Sequence, residues 1–90
     1  MEIILARTTI GDTIVGKLKE DSEVLTDVCI IQFTKDSQTG APKALIYPYF
    51  APLSKKYPSI DLKYLVIMTT PEQSIIDIYV KETSSIILCR

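Results

Sequence analysis

The sequence predicts a mainly β domain: a small, strongly bent, five-stranded antiparallel barrel followed by one C-terminal helix. Three observations predict it. Apolar, largely β-branched residues gather in five short runs, each bounded by Gly, Asp, Ser or Pro. The early runs are joined by tight turn chemistry, which favours antiparallel neighbours. After Thr70 the pattern changes from strand-like runs to helical spacing behind a helix-start signal. With 90 residues, the chain fits one domain spanning 1–90, with the barrel over about 2–69.

The first run, "EIILARTT" (2–9), ends at Gly11-Asp12 and reads as a strand and turn. In "TIVGKLKE" (13–20), Ile14 and Leu18 point one way with Gly16 between them, and Val15, Lys17 and Lys19 point the other. A glycine inside a strand weakens it unless the strand bends there. "EDSE" (20–23) is a polar turn. "VLTDVCIIQFT" (24–34) is a long strand interrupted by Asp27, which either faces solvent or pairs with a lysine across strands. "KDSQTGAP" (35–42) is turn chemistry, and "KALIYPYF" (43–50) is a strand in which Pro48 marks an edge or a bulge. Extended structure resumes at "LKYLVIMT" (62–69).

In "TPEQ" (70–73), Thr70 takes the N-cap position, Pro71 the first helical position and Gln73 the third. Ile75, Ile76, Tyr79, Val80 and Thr83 then recur at helical spacing, predicting a helix over 71–83 that is amphipathic and docks on the core or on an adjacent subunit. Its β-branched residues argue for strand, but the start signal outweighs them. Ser84-Ser85 ends the helix, and 85–89 forms a short extended tail.

Composition narrows the function classes. The net charge is −1, so no bulk basic footprint for nucleic acid or attraction to anionic membranes exists. Histidine is absent, no nucleophile motif or phosphate loop is present, and Asp36, Asp61 and Asp77 are scattered. A non-enzyme is predicted, without catalytic residues, metal or cofactors. Cys29 and Cys89 sit sixty residues apart in apolar runs, reading as buried small hydrophobes. No basic segment precedes "IILA" and no apolar run approaches the roughly 20 residues that span a bilayer, which predicts a cytoplasmic protein without a membrane partner. An apolar fraction of 47% is generous for a domain this small and predicts self-association.

At "IGDTIVGKL", Gly11, Ile14, Gly16 and Leu18 resemble the first motif of the Sm and Sm-like proteins, whose second strand carries a glycine where it bends hard. Asp21 and "VLT" (24–26) fall near that family's loop acid and methionine-asparagine pair, and "VLTDVCIIQF" looks like its third strand. The overall arrangement is similar to divergent Sm-like proteins of bacteriophages. Thr26 stands at the asparagine position, the Arg-Gly before the fifth strand is missing, and the helix follows the barrel instead of preceding it. The resemblance implies an SH3-type barrel and a ring of five to seven identical subunits joined by edge strands. It also implies single-stranded RNA at the pore, held by the loops at Asp21 to Thr26 and after Tyr49, in the host cytoplasm if the protein is phage-encoded.

The stretch "YPYFAPLSKKYP" (47–58) holds four of the seven aromatic residues and three of the five prolines. Tyr49, Phe50, Lys55, Lys56 and Tyr57 supply base-stacking and phosphate-holding chemistry. Two other readings stand beside it: the rings cover the end of the barrel, or they belong to a subunit interface. Asp21 and Thr26 join the candidate RNA set by the resemblance, against an ordinary turn acid and a strand threonine. Two functions follow as expectations: an RNA-binding ring, or a structural or protein-interaction ring, such as a phage-type adaptor, that has lost RNA binding.

Overall fold

The computed structural model describes residues 2–54 and 56–88. Its strands are β1 (Glu2–Thr8), β2 (Thr13–Leu18), β3 (Val24–Lys35), β4 (Pro42–Pro48), β5 (Ile60–Asp61) and β6 (Leu65–Thr69), and its helix is α1 (Gln73–Leu88). A 3-10 turn at Leu62–Tyr64 separates β5 from β6. One antiparallel sheet runs in the order β4-β3-β2-β1-β6, with β5 paired to the start of β3. The mainly β fold with a C-terminal helix is therefore as the sequence predicts. The sheet itself is not closed, since β4 and β6 stand at its two ends.

Local chemistry explains the tight turns. Gly11 takes φ 97°, which a β-carbon would resist, while the Thr8 amide donates to the Asp12 carbonyl at 2.9 Å. The Asp36 carboxylate accepts the Gln38 amide at 2.8 Å, and the Gly40 amide donates to the Asp36 carbonyl at 2.8 Å. Pro48 lies at the end of β4, an edge strand, where its missing N–H leaves no gap in the ladder.

The sheet buries residues on both faces. On one face Ile4, Ala6, Ile14, Leu25 and Val28 form a core, joined by Leu18, Tyr49, Ile60, Leu62 and Leu65. On the other, Val15, Cys29, Ile31 and Ile46 pack with Tyr79 of α1, flanked by Ile3, Leu5 and Ile75. Strict alternation cannot place Leu25 and Val28 on one face, because they are three residues apart. A bulge resolves this. Val15 pairs with Cys29 but Lys17 pairs with Thr26, so two steps along β2 match three along β3. Asp27 occupies the extra position at φ 50°, a left-handed conformation that aspartate tolerates better than most residues. It is half-buried and its carboxylate lies 3.5 Å from the Lys17 ammonium, so both readings of Asp27 apply. With both groups partly in water, this pair contributes little stability.

Gly16 sits in β2 opposite the bulge. A β-carbon there would meet Leu25 Cγ at 2.6 Å and the Thr26 carbonyl oxygen at 2.9 Å. The predicted bend at Gly16 is thus a place where β3 approaches β2 too closely for any side chain.

Three sequence-based expectations are corrected. The helix begins at Gln73, not at 71, because the Glu72 carbonyl accepts the first helical bonds, from Ile75 at 3.0 Å and Ile76 at 3.1 Å. Glu72 therefore caps the helix and Pro71 lies outside it, buried. The tail predicted over 85–89 is helical as far as Leu88, while Cys89 lies outside the described residues. Two serines cost an established helix only a few tenths of a kcal/mol each, and no Gly or Pro stops it. The strand predicted over 62–69 starts at Leu65, because Asp61 caps the 3-10 turn by accepting the Lys63 amide at 3.1 Å. Tyr79 is fully buried, and its hydroxyl donates to the Asp27 carbonyl at 2.7 Å, tying α1 to the bulge.

Gly16→Ala is expected to lower folding stability by about 1–3 kcal/mol, since Leu25 can shift but the Thr26 backbone cannot without breaking the β2–β3 ladder. Urea denaturation followed by circular dichroism measures this, and an unchanged midpoint would contradict the close approach.

Candidate interaction site

The loop between β4 and β5 is held at both ends by one residue of β3. The Val28 carbonyl accepts the Tyr49 amide at 3.4 Å, and the Val28 amide donates to the Pro58 carbonyl at 2.9 Å. Between these anchors the chain winds through a turn in which the Phe50 carbonyl accepts the amides of Leu53 at 2.7 Å and Ser54 at 3.2 Å. The loop is built on the bulged segment of β3, so its course follows from the sheet.

The aromatic residues of this loop do not converge. Tyr49 packs against the Ile4–Ile14–Leu25 core, and its hydroxyl donates to the Asp12 carboxylate in the β1–β2 turn. That hydrogen bond, with burial adding to it, raises the Tyr49 pKa. Tyr57 packs on the opposite face, against the Val15–Cys29–Tyr79 cluster, and its hydroxyl donates to the Glu82 carbonyl at 3.4 Å. Phe50 meets Tyr49 edge-on, with centroids 5.1 Å apart and planes at 77°, and is 51% exposed. With Val28, Tyr49, Pro58, Ser59 and Ile60 it lines a mostly apolar cleft of about 210 Å³. Lys56 is exposed, and Lys55 lies outside the described residues. Of the predicted stacking and phosphate-holding set, the structure presents Phe50 and Lys56 to solvent.

Asp21 and Thr26 stand apart from that loop in role. Asp21 is exposed in the β2–β3 turn at φ 60°, bordering a shallow hollow lined also by Glu2, Leu18, Lys19, Glu20 and Ser22. Two further acids in that lining oppose a phosphate backbone. The Thr26 hydroxyl donates to the Lys17 carbonyl at 3.2 Å, so it serves the sheet. Among the described residues no three His, Cys, Asp or Glu converge as a metal site, and no helix is long and apolar enough to cross a membrane.

Cys29 is fully buried between β2 and α1, as its apolar context predicts. Burial first, then the carboxylates of Glu82 and Asp27, pushes its thiol up to about 12. Burial, with Cys29 and Glu82 nearby, also pushes Tyr57 up to about 12. Tyr79 shifts upward for the same first cause.

Two features were invisible to sequence reasoning. Asp12 read only as turn chemistry, yet it receives Tyr49 from thirty-seven residues away. The run "LVIMT" of β6 read as an ordinary strand, yet Val66, Ile67 and Met68 are 59%, 60% and 49% exposed. The only signal of the second was the lack of polar alternation in that run. No protein-family model matches the chain, and a search of curated proteins found no match.

Tyr49→Phe is expected to cost about 1–2 kcal/mol, because the Asp12 carboxylate loses its donor, whereas Phe50→Ala costs markedly less. Thermal melts of the two variants side by side check the order. A pH dependence follows from the raised thiol and phenol values. The unfolded chain releases these protons first, so their stabilising contribution is complete below pH 9.0 and is lost as pH climbs towards about 12. In a Cys89→Ser background, native Cys29 is expected to resist iodoacetamide at mildly alkaline pH and to react once urea unfolds the protein. Rapid labelling of the native protein would contradict its burial.

Proposed function

We propose that this chain is a subunit of a homo-oligomeric ring of the Sm-like kind, with five to seven copies, which acts by binding and not by catalysis. The observation that carries the reading is the pair of open edges. β4 and β6 end the sheet on either side, and β6 exposes three consecutive large apolar side chains, Val66, Ile67 and Met68. Unpaired strand edges are templates for pairing with another chain, and an apolar one is costly to leave in water. Leu45 on β4 is 40% exposed. Pairing β6 of one copy with β4 of the next is a heterologous contact, and heterologous contacts close into rings when the rotation permits.

The Sm-like reading has further support in the middle of the sheet. Gly16 lies where β2 meets β3 at closest approach, in the place the family resemblance assigns to a bending strand. The segment 60–69 reaches β3 through β5 and β1 through β6, which is the connection a strongly curled, barrel-type sheet would use.

The ring's ligand, in the first reading, is single-stranded RNA, with Phe50 and the exposed Lys56 on the loop as contacts. In the second reading the ring is a structural or protein-interaction assembly, such as a phage-type adaptor in the host cytoplasm. The hydrogen-bonded, core-packed positions of Tyr49 and Tyr57 favour the second reading, because they remove two of the three rings from base stacking.

Light scattering on the purified protein is expected to give five to seven times 10.1 kDa, roughly 50 to 71 kDa. Ile67→Lys, which places a charge on the apolar edge, is expected to shift the mass towards that of a single chain. A wild-type mass of 10.1 kDa at high concentration would end both readings.

A further inference from the structure

The edge strand β4 begins and ends on a proline, Pro42 and Pro48. Which backbone groups its free edge presents follows from the β3–β4 ladder. In an antiparallel pair, residues alternate between those that bond the partner strand and those whose N–H and C=O point away. The Asp36 amide donates to the Ala41 carbonyl at 2.9 Å, and the register from Lys35–Pro42 to Cys29–Pro48 runs without a shift. Lys43, Leu45 and Tyr47 therefore turn their backbone groups to β3, and the Tyr49 amide keeps that phase by donating to the Val28 carbonyl. Pro42, Ala44, Ile46 and Pro48 turn theirs outward. The prolines have no N–H, so the outward donors of β4 are those of Ala44 and Ile46.

The same reasoning applies to β6. The Thr8 amide donates to the Asp12 carbonyl on the β2 side, and the Thr9 amide donates to the Tyr64 carbonyl on the β6 side, each at 2.9 Å. Leu5 and Arg7 of β1 therefore face β6, where they pair with Thr69 and Ile67. Val66 and Met68 turn their backbone groups outward, at the same spacing as Ala44 and Ile46. Antiparallel pairing is the more stable per residue. One antiparallel alignment of these two edges uses all four donors: Met68 opposite Ala44 and Val66 opposite Ile46. A slip of two residues sets Met68 against Pro42 in one direction or Val66 against Pro48 in the other, and a donor is lost. In the full alignment Ile67 and Leu45, 60% and 40% exposed, meet directly as the closer, non-hydrogen-bonded pair. Val66 and Met68 fall on the face where Ile46 packs with Tyr79 of α1.

We propose that Pro42 and Pro48 set the register in which β4 accepts a strand, and that the strand is β6 of a second copy, antiparallel, with Met68 at Ala44 and Val66 at Ile46. The proposal rests on the ring reading above for the contact itself and goes beyond it by fixing direction, alignment and the residues that enforce them. Two observations select this occupant. The outward donors of the two edges match in number and spacing, and their exposed apolar side chains come to face each other. An edge open along its whole length is a template for unselected pairing, and prolines on an edge restrict it. Here they leave a window that fits one alignment.

The test is oxidative cross-linking of the full chain in a Cys89→Ser background, with light scattering on the unoxidised samples. Cys29 is buried and stays in place. Opposed residues of a non-hydrogen-bonded pair lie about 4.5 Å apart at Cα, within disulfide reach. Leu45→Cys with Ile67→Cys is expected to give a ladder of linked chains on a non-reducing gel, and each of these changes alone is expected to give none. Lys43→Cys with Ile67→Cys reports the slipped alignment. It is expected to link poorly beside Pro42, and about fivefold better once Pro42→Ala restores a donor, the worth of one hydrogen bond. Pro42, Lys43, Leu45 and Ile67 are all exposed, so folding is expected to be unaffected. An assembly that forms without the 45–67 link overturns the alignment and leaves the ring reading standing. A single-chain mass of 10.1 kDa overturns both. Links from Ile67→Cys alone mean that β6 pairs with β6, and the proposal fails. It fails equally if positions 43 and 45 link to 67 to the same extent whatever stands at position 42.

Discussion

The fold depends on one irregularity, the extra residue that β3 inserts at Asp27 opposite Gly16. A twelve-residue strand with unbroken alternation would send Leu25 and Val28 to opposite faces. The bulge resets the alternation, so that both contribute to the core under β1 and β2 while Cys29 and Ile31 are free to meet α1. It also exposes a carbonyl to the Tyr79 hydroxyl, which would otherwise be a buried polar group without a partner. Gly16 permits the close approach, and aspartate tolerates the left-handed backbone. In a domain this small, with little surface to spare, a single strand serving two cores raises the buried fraction where it is most needed.

The bulge also decides what happens to the proline-aromatic loop. Both backbone groups of Val28 hold that loop, and its tyrosines are then drawn to opposite faces, one to Asp12 and one to the helix side. Aromatic rings are large apolar groups before they are ligand platforms, and burying them outweighs displaying them when a small core lies within reach. Phe50 escapes because Tyr49 occupies the position beside the core. The exposed ring that the sheet offers most openly is instead Phe33, on the β3–β4 hairpin, where every residue from Gln32 to Lys43 is exposed.

Edges and charges describe the remaining surface. The free backbone rims of β4 and β6 end the sheet on either side, and the apolar side chains of β6 lie exposed beside one of them. Glu2, Glu20 and Asp21 gather with Lys19 around the hollow beside the β2–β3 turn, while Lys35, Asp36 and Lys43 lie on the exposed β3–β4 hairpin.

The sequence by itself determined the β class, the early turns, the helix after Thr70, the special status of Gly16, the edge position of Pro48 and the burial of Cys29. These follow from local rules: φ preferences, missing donors, side-chain period and the cost of hydrating apolar groups. Tertiary structure alone decided the helix length, the start of β6, the use of Asp27 as a bulge, the Tyr49–Asp12 bond and the exposure of Val66, Ile67 and Met68. The last three of these depend on which distant strand lies alongside. An apolar run reads the same whether it is covered by a second layer or left at a sheet's edge, and only the arrangement of the other strands distinguishes the two.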